Sequence, residues 1–525
     1  LTQEFGGFLK GLTMSVQAMT EHIGYFSEYR RIWPDLYRAT GRTAQGVLIK
    51  ALRSAQSSMA YGSGENSYRQ YYMEAKANWN RSFGDHTFGA LLEYYMKDEK
   101  NSLWGKYDDL GIASIPKRHQ NLSGRISYDY KNRYFIDANF GYTGSAQFKK
   151  GEQFGFFPSI AAGWVPSSYA WWTEKLPWFT FLKIRGSYGI VGNAPEVYTA
   201  NMVYNQASLT RSTVYTYNYV PTAIGNESIK PETKYEYELG IENKFFNNRL
   251  GMEFNFYYNN IKDQILSTTS AASMGAQSML MNVGELSNKG VELNVYGTPF
   301  ENKDWRWDLR ANVAWNKNTV KKLADGLDVL KHFGTDGDAA VLESHVGESM
   351  GDWYTYTWKT DDKGNYIVGS NGLYIADKTE RHKVGNAMPK FTGGFGTSLS
   401  YKNFTLDMSF DFRIGGDVLN LPWQYMMDAG NITDAVGVRD YSTGGVFYYS
   451  DTEDVSDKAS IHVLSAAEAA QVAATYKRGD KYNGHYLWDN GLILPGVKED
   501  GTPNDIVVTQ FEANDNMYGW GTGAS

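Results

Sequence analysis

Cysteine is absent from all 525 residues, which removes disulfide staples, thiolate metal sites and cysteine nucleophiles together. No run of about eighteen apolar residues occurs, so a transmembrane helix is excluded. The mean hydropathy of −0.48 does not exclude a membrane, because a strand that is apolar only at every second residue averages as polar. Net charge is −7, which gives no basic footprint for nucleic acid. The eight histidines (His22, His86, His119, His332, His345, His382, His462 and His485) lack the close pairing of a metal-ligand set and read as exposed or loop residues. No catalytic constellation, metal site or cofactor motif is found. The chain opens at Leu1 without an initiator methionine or a charged-then-apolar leader and stops at Gly521-Thr522-Gly523-Ala524-Ser525, as if within a loop, so it reads as part of a longer polypeptide.

What is present in quantity is aromatic. Phe, Trp and Tyr make up 15% of the chain, with 39 Tyr, 26 Phe and 15 Trp, beside 54 Gly and 13 Pro. Rings with a polar edge settle at the headgroup level of a bilayer, and two girdles of them are what a membrane barrel requires. A large β-rich secreted protein, with rings in cores or against sugar, accounts for the same composition.

Periodicity adds a pattern. Tyr235, Tyr237, Leu239 and Ile241 alternate with Glu236, Glu238 and Glu242; Phe246-Asn247-Asn248-Arg249 turns the chain; Met252, Phe254, Phe256 and Tyr258 return opposite Glu253, Asn255 and Asn259. Val291, Leu293 and Val295 alternate with Glu292 and Asn294, and after Glu301-Asn302-Lys303-Asp304 the run from Trp305 to Trp315 does the same. A period of two over about ten residues is that of a half-buried strand long enough to cross a bilayer at a tilt.

The same pattern recurs from Lys10 to Met19, then in pairs: Met73–Asn80 with Phe88–Met96 across Gly84-Asp85, Leu122–Tyr130 with Tyr134–Tyr142, Phe154–Val165 with Phe181–Ile190, and Phe391–Tyr401 with Phe404–Arg413. Thr20 to Ser67 lacks clean alternation, and Val47-Leu48-Ile49 is either a short strand or a helix. Short turns alternate with long connections (191–231, 265–286, 321–388 and 415–525), which puts the long loops at one end of the strands. About thirteen strands result, an odd number that leaves open edges. The expected class is therefore all-β: part of a large transmembrane antiparallel β-barrel, with barrel hairpins over about 8–415 and a long extracellular loop region over 416–525.

An ordered series of short motifs then resembles the SusC/RagA family of TonB-dependent outer-membrane transporters. It comprises Phe157-Pro158-Ser159-Ile160-Ala161-Ala162-Gly163-Trp164, Leu182 to Gly189, Gly192-Asn193, Asn226 to Glu232, Asn248-Arg249-Leu250, Asn282-Val283-Gly284, Asn288 to Leu293, Asn316-Lys317-Asn318 and Gly385 to Gly394. The resemblance implies a barrel of about 22 strands around a plug, a SusD-like surface lipoprotein over the outer mouth, and coupling to the TonB complex of a Gram-negative cell. It implies import of an oligosaccharide or a peptide, with a dimer of transporter–lipoprotein pairs among the assemblies. Plug, TonB-contacting segment and closing C-terminal strands have no counterpart in these residues.

Candidate residues fall in two sets. Arg125, Asp137, Lys183, Arg185, Glu236, Glu253 and Glu292 are expected to line the lumen. Trp353, Tyr354, Tyr356 and Trp358, with Trp423 and Tyr425, are loop rings suited equally to substrate, to a partner, or to packing within the loops. Alternation over Trp353 to Trp358 suggests a short loop hairpin with one face available. Asp336-Gly337-Asp338 and Asp361-Asp362-Lys363-Gly364-Asn365 look calcium-like but lack the spacing of a binding loop, and turn chemistry accounts for them. A surface binding or adhesion protein anchored by its barrel remains the alternative to an importer, and a soluble secreted enzyme would need a catalytic cluster that is not found.

Overall fold

A computed structural model describes residues 2–42, 48–101, 115–194, 203–211, 214–269, 273, 278–333, 340–428, 431–476 and 480–518. The chain divides into two compact units. The first comprises Leu1–Asn312, Ala324–Gly326 and Gly396–Met408; the second comprises Val313–Leu323, Leu327–Phe395 and Ser409–Ser525.

In chain order the strands are β1 (Thr2–Glu4), β2 (Leu12–Arg31), β3 (Leu36–Arg42), β4 (Leu48–Ser54), β5 (Ala60–Phe83), β6 (His86–Asn101), β7 (Lys117–Tyr130), β8 (Tyr134–Ser145) and β9 (Phe154–Trp164). They continue as β10 (Phe181–Asn193), β11 (Val203–Arg211), β12 (Val214–Ile224), β13 (Glu232–Phe245), β14 (Leu250–Thr269), β15 (Ser278–Glu301) and β16 (Trp305–Lys322). Then come β17 (Val329–Phe333), β18 (Ala340–His345), β19 (Asp352–Trp358), β20 (Ile367–Val368), β21 (Ala376–Asn386), β22 (Pro389–Tyr401) and β23 (Phe404–Gly415). The main sheet is an antiparallel meander in the order β1-β2-β5-β6-β7-β8-β9-β10-β13-β14-β15-β16-β22-β23, with β11 and β12 off this path. All thirteen strands expected from periodicity are in it. The fourteenth is the three-residue β1 on β2, pairing Gln3 with Met14.

Register carries one face of the sheet from strand to strand. Lys183 stands opposite Glu242 and Arg185 opposite Gly240; Glu242 faces Glu253, Gly240 faces Asn255 and Glu236 faces Asn259; Asn255 faces Glu292. In the other direction Arg185 leads to Gly163, Ala161 to Asp137, and Asn139 to Arg125. The opposite face runs Leu92–Gly124, Ile126–Ala138, Ala138–Ile160, Ile160–Tyr188, Gly186–Leu239, Leu239–Phe256 and Phe256–Val291. Its side chains stand in the open rather than in a core: Ile126 is 66% exposed, Phe156 61%, Leu239 49%, Phe254 40% and Phe256 40%.

That apolar face is bounded by rings at both ends. At the short-turn end lie Phe83, Phe88 and Tyr128, with centroids 6.3 and 5.0 Å apart, Phe179 stacked on Phe245 at 4.6 Å, and Trp305 against Tyr401 at 4.4 Å. At the other end Tyr142 stacks on Phe154 at 5.0 Å and Tyr188 meets Tyr237 at 4.9 Å. From Tyr134 to Tyr142 is 142 − 134 = 8 residues, and from Tyr237 to Phe245 is also 8. Eight residues span ~27 Å along a strand, or ~20 Å across a bilayer at a tilt of about 40°, close to the apolar band of a membrane barrel. Beyond the outer rings the same face turns ionic, where Asp98 holds Arg118 at 2.8 Å and Arg69 at 3.6 Å.

Two stretches read as irregular in sequence are extended. Both ends of Thr20–Ser67 are prolongations of β2 and β5, paired out to Arg31 and Ala60, and Leu48-Ile49 opens β4; Val47 lies outside the described residues. Alternation fails there because rings stand on both faces of the ribbon, with Tyr25 57% and Phe26 60% exposed. In the second unit β17, β18, β19 and β21 form a four-stranded antiparallel sheet. The region after β23 carries helices Leu421–Asp428, Ala466–Ala473 and Gln510–Tyr518. Its apolar clusters are Phe447, Leu464, Ala469 and Leu487, and Leu494, Val508 and Ala513.

Candidate functional site

The seven residues read as lumen-lining share the polar face of the first unit. Five of them are tied into an ionic ladder or stand directly against it. Arg125 Nε donates to Asp137 at 2.7 Å. Lys183 Nζ lies 3.4 Å from Glu242, and Arg185 donates to Glu238 at 2.6 Å while its Nε lies 3.4 Å from Glu242. Arg185 Nη2 also reaches Asn255 at 2.8 Å. Glu236 holds Lys234 at 3.2 Å. Toward β5 the face continues with Glu74, which accepts from Tyr72 at 2.6 Å and from Lys76 at 3.2 Å. A band of paired and half-exposed charges is a wet surface that offers donors and acceptors of both signs to a polar solute.

The loop rings of the second unit are placed differently from one another. Tyr354 is buried at 7% exposure, stacks on His345 at 4.3 Å and donates its hydroxyl to Glu348. Burial first, then that bond, pushes the phenol well above its ordinary value. Trp353 Nε1 donates to the Asp417 carbonyl at 2.9 Å, Arg381 covers the Tyr356 ring at 4.4 Å, and Trp358 packs on Tyr374 at 5.6 Å. These four rings belong to β19, the third strand of the loop sheet rather than a free hairpin, and each has a partner within the second unit. Trp423 and Tyr425, on Leu421–Asp428, are exposed at 41% and 53%.

β19 is anchored by a carboxylate. Asp352, fully buried, accepts from Lys383 Nζ at 2.5 Å, Asn386 Nδ2 at 2.6 Å and the Ser349 amide at 3.2 Å. Asn318 accepts from Ser349 Oγ at 2.9 Å and the Met350 amide at 2.7 Å. Beside these anchors opens a pocket of about 710 Å³ lined by, among others, Trp315, Asn316, Lys317, Asn318, Lys383, Asn386, Lys390 and Asp417. This volume suits a small oligomer segment, and its lining mixes cations, carboxylates, amides and one indole. Asn316, Asn318 and Asn386 appear in the sequence only as family motif residues. The concentration of amides in two separate motifs was the available signal that they meet.

Asp361 closes its own turn. Its carboxylate accepts the Lys363 and Asn365 amides at 2.9 and 2.8 Å and the Asn365 side chain at 3.0 Å, and the Asn365 side-chain bond, followed by that residue's amide, holds it below the usual carboxylate range. Asp336-Gly337-Asp338 lies outside the described residues. Among the described residues no group of three or more His, Cys, Asp or Glu is arranged to hold a metal.

An antiparallel meander with one apolar face open to its surroundings, ringed by aromatics at both ends and charged on the other face, defines a membrane β-barrel wall. Residues 20–489 match the family described as "TonB dependent receptor-like, beta-barrel", and the chain belongs to it. The resemblance to SusC/RagA transporters is thereby borne out, with relatives that carry the name. TonB-dependent receptor P3 of Formosa agariphila is 26% identical over 419 residues, covering 71% of this chain and 41% of that protein. TonB-dependent receptor SusC of Bacteroides thetaiotaomicron is 28% identical over 311 residues, covering 55% and 30%. In fold, the RagAB peptide importer in its open-open state superposes with a TM-score of 0.58 at 21% identity, over 78% of this chain and 45% of that one. The chain thus spans about two fifths of the length of the first of these relatives. The family is one of outer-membrane receptors and transporters rather than enzymes.

Proposed function

We propose that this chain forms barrel wall and outer loops of a transporter that imports a nutrient oligomer, glycan or peptide, across the outer membrane of a Gram-negative cell. In this reading it works with a SusD-like surface lipoprotein and draws energy from the TonB complex through parts of the protein beyond these residues. The observation that carries the proposal is the two-faced register: seven charged residues, from Arg125 on β7 to Glu292 on β15, fall on one face, and Ile126, Leu239 and Phe256 on the other. A sheet built this way separates hydrocarbon from an aqueous path.

The lumen face supplies the lining of that path, and the pocket beside Asn318 and Asn386 supplies one contact for the oligomer on its outer side. Amides and paired charges bond sugar hydroxyls and peptide groups alike, and the likeness to a RagAB peptide importer favours testing peptides first. Trp423 and Tyr425, exposed on their helix, are the ring candidates for substrate or lipoprotein contact; Trp353, Tyr354, Tyr356 and Trp358 act by holding β19. The test is uptake of labelled oligopeptides and oligosaccharides by cells carrying the full-length protein. Uptake that vanishes on deletion of TonB supports the proposal, and uptake that persists contradicts it.

A further inference from the structure

On the polar face of β14 and β15 acceptors outnumber donors. Register sets the residues of that face in facing pairs: Gly251 with Tyr296, Glu253 with Asn294, Asn255 with Glu292, Tyr257 with Gly290, and Asn259 with Asn288. The panel has an approximate two-fold symmetry. Two carboxylates, Glu253 and Glu292, stand diagonally across its centre, and beyond each a tyrosine faces a glycine. Tyr296 covers Gly251 so closely that a Cβ there would lie 2.4 Å from the Tyr296 Cζ.

The cations of the neighbouring strand are already held elsewhere. Lys183 and Arg185 lie on Glu242, and Arg185 also donates to Glu238; Arg185 reaches the panel at Asn255, 2.8 Å away. Among the described residues neither Glu253 nor Glu292 has a hydrogen bond or an ion pair.

Asn259 gives an independent sign at one end of the panel. It is 7% exposed, and its Oδ1 and that of Asn288 opposite are both buried without a donor. On β13 the residue facing Asn259 is Glu236, another acceptor. A buried amide oxygen without a donor is costly to keep. The two carboxylates and the two amide oxygens are all answered by one kind of ligand, which brings N–H groups and positive charge together.

Spacing narrows the ligand further. Diagonal residues of an antiparallel pair stand ~7–8 Å apart, and alternate side chains of an extended peptide ~7 Å apart. We infer that this panel recognises basic peptide: a segment with Lys or Arg at alternate positions sets one cation on Glu253 and the next on Glu292, between the Tyr257 and Tyr296 rings. Asn259 and Asn288 accept N–H groups further along the same segment. A neutral glycan brings hydroxyl donors but no charge to answer the carboxylates. The inference rests on the importer reading above and narrows its cargo to cationic peptide.

The test uses cells carrying the full-length protein and labelled pentapeptides with Lys, Gln or Glu at the second and fourth positions. Wild type is expected to take up the Lys peptide about tenfold faster than the Gln peptide, and the Glu peptide more slowly than either. Glu253→Gln combined with Glu292→Gln is expected to bring Lys-peptide uptake down to the Gln-peptide rate and to leave the Gln peptide as in wild type. Glu292→Gln alone, at an exposed position, is expected to give an intermediate loss, so the outcome does not depend on the double variant folding. Equal uptake of Lys and Gln peptides by wild type, or import of oligosaccharides with no peptide, overturns the inference and leaves the importer standing. A Lys preference that survives both substitutions, with the variant less heat-stable on gels, assigns the panel to a cation of the protein itself and overturns the inference as well. Uptake of every oligomer that persists without TonB fails the importer reading itself.

Discussion

Arg185 donates to Asn255 at 2.8 Å although the two residues stand two strands apart. The strand between them allows this because it presents Gly240: a Cβ there would lie 2.7 Å from the Arg185 Nε and 2.8 Å from its Cζ. The guanidinium therefore lies across β13, gathers Glu238 and Glu242, and links three strands through one side chain. A glycine in an otherwise regular strand is the device that lets the ladder cross.

Gly240→Leu is expected to push Arg185 off β13 and to leave Glu238, Glu242 and Glu253 facing one another. Both the substitution and Arg185→Met should lower barrel stability by about 1–2 kcal/mol, since the pair is half exposed and partly screened. Heat-modifiability on gels, or denaturant unfolding in detergent, reads the shift. Leu239→Val, one residue away on the other face, should behave as wild type within about 1 kcal/mol.

Lys383→Met leaves the Asp352 carboxylate buried without its cation and should cost the loop sheet about 3–5 kcal/mol. Asp352→Ala should cost about 2–4 kcal/mol, because the half-exposed Lys383 returns to water. Both should raise hydrogen exchange across β17, β18, β19 and β21 and leave β5 to β10 unchanged. Equal protection in the loop sheet of both variants would remove the anchor from the account.

His332 makes that sheet sensitive to acid. Burial lowers the pKa of its imidazole from the ordinary 6.5, and its Nε2 meets Ser344 Oγ at 2.6 Å; that hydroxyl already donates to the Met350 carbonyl, so the ring is the donor. The folded state thus binds a proton less readily than the unfolded one, and stability is full above pH 6.5 and falls as the pH drops below it. Exchange protection over Val329–His345 should decline from pH 7 to pH 5 in the wild type and stay level in His332→Gln.

How much of this was legible in the sequence follows from where alternation is clean. Tyr235 to Tyr258 shows its two faces because each strand has one bilayer side and one wet side, so strands, turns and the seven polar-face residues could all be placed by a period of two. Register could not, nor could the crossing of Arg185, which depends on which glycine falls opposite. Trp353 to Trp358 leaves substrate, partner and loop packing equally open, because sequence does not distinguish a ring that contacts a ligand from one that packs in a small sheet. The helix at Ala466–Ala473 was passed over inside a presumed loop, although Ser465 and Glu468 make a capping box, a signal readable as Ser-x-x-Glu ahead of an alanine run.

Orientation has its own check. Protease added to intact cells should cut within 321–388 and spare 246–249 at the short-turn end. Cutting at 246–249 alone would reverse the sides.

The most direct measurement of the central claim places one spin label at a time on positions 253, 254, 255 and 256 of the full-length protein in a bilayer and compares collision with oxygen and with a water-soluble nickel chelate. Labels at 254 and 256 are expected to favour oxygen, and those at 253 and 255 the chelate, repeating every second residue. Equal access along the four positions, or chelate access at 254 and 256, would contradict a wall with acyl chains on one side and water on the other.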